Sequence, residues 1–364
     1  NMAIDIYDKQ MKRELAAGVE AEAAEYIIRP LLRAHATNYA KGVMEQALIW
    51  RTHLYKAGQY RQAAGIVRQI WLTLYEWGAQ TAAKQLIEET IETSRGVDKA
   101  LAQISLAEFI MNEGNLERAK AIYENAHSYF KQQKDPPNLA YVLNKKSAIY
   151  MRYGKQRQAQ KVAEEALKLY QQEEYLRGQL KVLVNLTDIC LQRNNLKSAI
   201  AYSVQAEELA RQMQDLHTLG IILRDQAQLW VRVGDLRKAY GYLQSSLQIA
   251  SQLELQWEIC RTLADMGDLL FTAGDLETAK KTYLESLSIA QSLENFVAIG
   301  QRYFSLGKLH AAEENEEEAL IMFGRAETIL LEHGSQEQLR EVRSEMKALQ
   351  KNGRGWLASI GLAR

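Results

Sequence analysis

The sequence predicts an all-α fold built from stacked antiparallel helix pairs. Three observations carry that prediction. A block of motif recurs every 40 residues, small side chains recur in fixed columns within it, and only three prolines, Pro30, Pro136 and Pro137, occur in 364 residues. Proline removes a backbone donor and clashes with the preceding turn, so its scarcity leaves room for long uninterrupted helices. Leu, Ala, Glu, Gln, Lys and Arg dominate, and these lose little on entering a helix.

The repeat is clearest at its turn. Gly114-Asn115-Leu116 leads to Ala119, and the block returns at Gly154 to Ala159, Asn194-Asn195-Leu196 to Ala199, Gly234-Asp235-Leu236 to Ala239, Gly274-Asp275-Leu276 to Ala279 and Glu314-Asn315 to Ala319. Gly can adopt the left-handed conformation that closes a helix. The Asp or Asn beside it can cap the next one through its side-chain oxygen. Asn194 can take the same left-handed role, whereas Glu314 is poorly suited to it, so a looser last turn is expected.

Two further small columns accompany Ala119, Ala159 and their successors. One reads Ala126, Ala166, Ala206, Ser246, Ser286, Ala326 and the other Ala107, Ser147, Thr187, Ala227, Gly267, Gly307. Such columns let neighbouring helices approach closely, and Leu143, Leu183, Leu223, Leu263 and Tyr303 fill the space between them.

This pattern resembles the tetratricopeptide repeat family, strongly over residues 98 to 334 and more weakly over 42 to 97. The resemblance implies a right-handed α-α superhelix whose first helices line a concave face. The repeat here is 40 residues, longer than the common form, and Lys146 and Gln226 stand where the family usually has an apolar residue. Three regions follow: an N-terminal helical region (1–97), six repeats (98–334), and a capping helix with a tail (335–364). Helices are expected at about 42–57, 60–77, 80–95 and 335–350, with two more before residue 42, one ending near Gly18 and one interrupted by Pro30. Pro136-Pro137 is expected in the loop between two repeats, because a residue preceding proline is driven from helical geometry. The tail from Trp356 to Arg364 either caps the last repeat or meets a neighbour.

A second resemblance sits upstream. His53 to Tyr60, Ala63-Ala64, Leu74 to Gly78 and Leu86 to Thr90 look like the stretch joining a nucleotide-binding core to the repeat arm in signal-transducing regulatory ATPases. It implies that the chain is the sensor arm of a larger switch, and that a nucleotide-binding domain of the same parent chain is one partner. The leading Asn1 ahead of Met2 is consistent with an excised piece.

Several function classes are disfavoured. Forty-five basic and forty-five acidic residues give no global field for nucleic acid. No apolar run approaches the roughly 20 residues that span a bilayer. There is no GxxxxGK[ST] loop, no HExxH and no His/Cys cluster. The charge run at Glu313-Glu314 and Glu316 to Glu318 suits a solvated helix start better than acid–base work. The reading is therefore non-catalytic, with no cofactor and no metal. Cys190 and Cys260 read as buried thiols of a cytoplasmic protein.

The expected partner is a protein or peptide segment with some basic character, held in the concave groove. Candidate contacts are first-helix positions that packing does not require: Asn144, Lys145, Lys181, Asn185, Asp188, Arg224, Asp225, Gln228, Arg261, Asp265, Asp268 and Lys308. They mix acids, bases and amides, which suit backbone and side-chain recognition of an extended segment. Asp225 and Asp265 are expected to tolerate replacement by Lys without loss of thermal stability while a true ligand is lost. An alternative is a stand-alone peptide-sensing regulator, since a helical leader before such an array also resembles the peptide-sensing regulators of Gram-positive bacteria.

Overall fold

The computed structural model describes residues 37–76 and 79–352. Within them the chain forms sixteen α-helices and no strand. They are α1 (Thr37–Lys56), α2 (Tyr60–Glu76), α3 (Gln80–Thr93), α4 (Gly96–Asn112), α5 (Leu116–Gln133), α6 (Pro136–Arg152), α7 (Gln156–Gln172), α8 (Leu176–Gln192), α9 (Leu196–Gln212), α10 (Leu216–Val233), α11 (Leu236–Gln252), α12 (Gln256–Ala273), α13 (Leu276–Ser292), α14 (Phe296–Ala312), α15 (Glu316–His333) and α16 (Gln336–Asn352). The helices expected near Gly18 and Pro30, and the tail from Trp356, lie outside the described residues. The chain packs as two compact units, Asn38–Ile222 and Leu223 onward.

Each helix from α5 to α15 starts three residues or so after the last one stops, and the stop is the same device. The residue after the helix turns left-handed, at φ 87° for Gly114, 68° for Gly154 and 83° for Gly274. Its successor's N–H then reaches back five residues, as from Asn115 to the Ile110 carbonyl at 3.1 Å, satisfying an orphan carbonyl. That successor caps the next helix: Asn115 Oδ1 accepts from the Arg118 N–H at 3.1 Å, and Asp275 Oδ1 from the Thr278 N–H at 3.1 Å.

Two expectations need correction here. Glu314 adopts φ 60° and makes the same closing bonds, Glu314 N–H to the Ala311 carbonyl at 3.1 Å and Asn315 N–H to the His310 carbonyl at 2.9 Å, so this turn is no looser than the others. Two closing hydrogen bonds offset the strain that a β-carbon meets there. Pro136 and Pro137 do not sit in a loop. They open α6, where a missing N–H is harmless, and Asp135 is the non-helical cap whose Oδ1 accepts from the Asn138 N–H at 3.2 Å.

The left-handed position also recurs midway between the glycines, on Lys134, Glu174, Gln214, Glu254 and Glu294. These side chains carry strain that Gly would not. Glu294→Gly is therefore expected to stabilise by about 0.5–1 kcal/mol, and Gly274→Ala to destabilise by about 1 kcal/mol. Urea midpoints of the two variants, shifting in opposite directions, check this.

The small columns are the core. Ala119, Ala159, Ala199, Ala239, Ala279 and Ala319 have no exposed surface. Large residues face the smallest ones. Tyr283 packs on Gly267 and Phe323 on Gly307, so closely that a β-carbon on either glycine would lie 2.5 Å from a ring carbon. Burying each such ring contributes roughly 2–3 kcal/mol. Leu143, Leu183, Leu223 and Leu263 are buried as expected. Lys146 is also buried, and its Nζ meets Glu124 Oε2 at 2.9 Å, so a charged residue in an apolar column is answered by a partner. In α16, Leu339, Val342 and Leu349 are buried, and Val342 and Leu349 join the cluster around Phe323 and Leu330, which covers the end of the last pair.

Candidate functional site

All twelve candidate residues lie on first helices of their pairs, from α6 to α14. The first compact unit holds five of them. Asn144 and Asn185 are brought together: Asn185 Nδ2 donates to Asn144 Oδ1 at 2.8 Å and to Ser147 Oγ at 2.7 Å, and Ser147 Oγ donates to the Asn144 carbonyl at 2.6 Å. The amides thus bind one another from repeat to repeat. Lys145 Nζ pairs with Glu108 and lies 5.3 Å from the centre of the Tyr141 ring. Lys181 and Asp188 are exposed.

The second unit holds the other seven, and here the structure gathers charge. Arg224 is only 4% exposed. Its Nη1 donates to Glu258 Oε2 at 2.8 Å, its Nη2 to Asp225 Oδ1 at 3.2 Å, and its Nε lies 3.5 Å from Asp265 Oδ2. Glu258 also meets Arg261 Nη1, at 3.7 Å. Arg224 is therefore a buried hub rather than a free surface group. It costs desolvation that only a full set of partners can offset. Replacing Asp225 and Asp265 by Lys would strip two of those partners, so thermal stability is expected to fall with it, contrary to the sequence expectation.

The electrostatics follow from this crowding. Burial raises the Asp265 carboxyl to about 6, against the pull of Arg224; the neighbouring Asp268 raises it further, while Arg261 and Arg302 draw it back. Burial also raises Asp225, with Arg224 opposing. Burial lowers Arg261, with Arg224 adding to the effect and Glu258 opposing it. Asp268 is exposed, and its Oδ1 accepts from the Tyr283 hydroxyl at 2.6 Å. Gln228 is exposed, and Lys308 Nζ lies 4.9 Å from the centre of the Phe304 ring.

Beside these acids, α10, α11 and α12 enclose a cleft of about 270 Å³. Asp265, Asp268 and Gln228 share it with Leu243 and Leu269. Sequence reading missed Glu258, Tyr283 and Arg302 as members of this cluster. Arg302 had a signal: its column reads Ala102, Val142, Val182, Ile222, Thr262 and then a buried arginine. Glu258 stands in no such contrast. Among the described residues no group of three His, Cys, Asp or Glu side chains is placed to hold a metal ion, and no helix is long and apolar enough to cross a membrane.

With this geometry in hand, the comparisons with known proteins are consistent. Residues 140–354 match the MalT-like TPR region, where TPR denotes the tetratricopeptide repeat. No curated protein matches the chain in sequence. A signal transduction ATPase with numerous domains (STAND) from Pyrococcus horikoshii, which has a tetratricopeptide repeat sensor, superposes with a TM-score of 0.62 at 12% identity, over 86% of this chain and 54% of that one. The chain thus spans about half the length of that protein. The apo quorum sensor NprR from B. thuringiensis gives 0.58 at 14% identity, over 88% of this chain and 94% of that one. A Rap protein complexed with competence and sporulation factor gives 0.53 at 14% identity, over 86% and 99%. At these identities the likeness establishes the fold, a tetratricopeptide-type helical solenoid.

Proposed function

Because the chain belongs to the family of MalT-like TPR regions, we propose that it is a non-catalytic arm that binds a peptide or protein segment along the first helices of its repeats. One observation carries this reading. Charged and amide side chains persist on those helices at positions the core does not use, among them Lys181, Asp188, Gln228, Arg261 and Asp268, all exposed. Exposed polar groups on a rigid stack of helices are the usual means by which repeat proteins hold an extended segment. The acids of the second unit, Asp225, Asp265 and Asp268 with Glu258, favour a segment with basic character. No covalent chemistry is assigned to it.

The arm belongs to a larger regulatory protein in this reading, with a nucleotide-binding domain on the same parent chain. The tetratricopeptide sensor of the STAND protein and the upstream stretch from His53 to Thr90 support it. A second reading, a stand-alone peptide-sensing regulator, draws support from NprR and the Rap protein, which this chain covers almost in full. The genomic reading frame separates them: a phosphate-binding loop encoded upstream in the same frame favours the first, and a stop codon there the second.

The binding face is tested by charge reversal at its exposed members. Lys181→Glu and Asp188→Lys together are expected to leave the Tm within about 3 °C, since surface substitutions rarely exceed about 0.5 kcal/mol each. The same variant is expected to lose about tenfold or more in affinity for peptides selected on the parent chain from a random dodecapeptide library, because about 1.4 kcal/mol suffices for that. Unaltered affinity would move the site elsewhere.

A further inference from the structure

We propose that the cleft between α10, α11 and α12 is a socket for one long cationic side chain, arginine or lysine, of the bound segment. This rests on the peptide-binding reading above and adds to it a specific pocket and its occupant.

The lining divides by chemistry. Ala227, Leu243 and Leu269 are buried and supply an apolar floor. Asp268, Gln228 and Arg232 are exposed and stand at its edge, with Asp265 between the two zones at 27% side-chain exposure. An apolar floor beside a carboxylate edge suits a side chain with an aliphatic stem and a cationic head. Such a side chain lays its methylenes on the floor and keeps its charge at the polar edge. A purely apolar side chain would leave the acids unanswered, and a short cation would leave the floor uncovered.

Both acids are held ready by one oxygen each. Tyr283 donates to Asp268 Oδ1, which leaves Oδ2 open. Arg224 Nε approaches Asp265 Oδ2, which leaves Oδ1 open. A carboxylate accepts at about four lone-pair positions, so each retains capacity for a charge-assisted bond.

The local charge balance sets the sign of the pH dependence. Asp265 faces Arg224 from α10, Arg261 and Asp268 from α12, and Arg302 from α14. Arg232 lines the cleft on its exposed side. Burial raises Asp265 to about 6. Cation binding therefore strengthens as pH rises through that value and fades below it.

The test uses the whole chain and small probes: Nα-acetyl-arginine methylamide and its lysine, citrulline and norleucine counterparts, titrated to millimolar levels. Methyl resonances of Leu243 and Leu269 are followed by NMR at pH 7.5 and pH 5. The arginine and lysine probes are expected to shift both residues at pH 7.5. Citrulline and norleucine are expected to bind about tenfold or more weaker, as is the arginine probe to Asp268→Asn, since a charge-assisted bond is worth about that factor. Responses that are absent at pH 7.5, or equal for the charged and neutral probes, would overturn the socket. Failure of the dodecapeptide library while the arginine probe still shifts these methyls would instead count against the wider peptide-binding reading and leave the socket standing.

Discussion

Arg224→Met is expected to destabilise the second unit by about 3–5 kcal/mol at pH 8, because removing one partner from a buried ion network strands the others. Those others are Glu258, Asp225 and Asp265, which Arg224 now holds at 2.8, 3.2 and 3.5 Å. Methionine keeps the volume and the straight stem, so the loss reports charge more than packing. The effect carries its own control in pH. In the parent, Asp265 already sits at about 6, above the ordinary carboxylate range. A carboxyl whose folded value is raised contributes stability that is present below its unfolded value and lost as pH rises through its folded value. Removing Arg224 takes away the largest force holding Asp265 down, so the variant's value rises further and its stability falls more steeply between pH 5 and pH 8 than the parent's. Hydrogen exchange across α10, α12 and α14 at the two pH values is the measurement, because it reads opening locally in an array that need not melt as one unit. Equal protection in parent and variant at pH 8 would show that the network is solvated and Arg224 dispensable.

This hub shows how far a sequence column can be trusted. The 40-residue register sorted side chains onto shared faces, and every Ala of the principal column is fully buried as that sorting requires. Depth is a different quantity. Arg224 shares its column with Ile104, Asn144, Val184, Ala264 and Phe304; Ile104, Ala264 and Phe304 are buried, and Arg224 lies as deep as they do despite its charge. Polarity alone pointed to the surface; the column's apolar members pointed inward, and they were the better guide. The partners of Arg224 were harder to see. Glu258 is one acid among many on the helices, and only the fold brings it from 34 residues away to within 2.8 Å. The turns show the opposite limit. Lys134, Glu174 and Glu294 carry no preference for left-handed geometry, yet they adopt it, because the closing hydrogen bonds of each turn require that conformation whatever residue stands there.

The second large effect concerns the pairs sixteen positions apart that set the spacing between helices. In this chain the two members trade volume. Gly267 faces Tyr283 and Gly307 faces Phe323, whereas Thr187 stands with Ser203 and Ser147 with Ala163. Close packing has room for one large partner, not two. Gly267→Thr places a branched side chain where even a β-carbon would lie 2.5 Å from the Tyr283 ring, which has no exposed surface into which to retreat. The expected loss is about 3 kcal/mol or more, at the upper end of overpacking effects. Tyr283→Ser alone leaves a cavity and frees Asp268 from its hydroxyl partner, costing about 3–5 kcal/mol by analogy with aromatic truncation. The double variant rebuilds the Thr187–Ser203 pair two repeats further along the chain, so its loss is expected to fall well short of the sum. The coupling should reach about 1–3 kcal/mol, the range seen for side chains in direct contact. Urea denaturation of the four proteins in the cycle measures it. Additive losses would mean that the two columns do not share one volume, and the alternation of small and large along this chain would then need another cause.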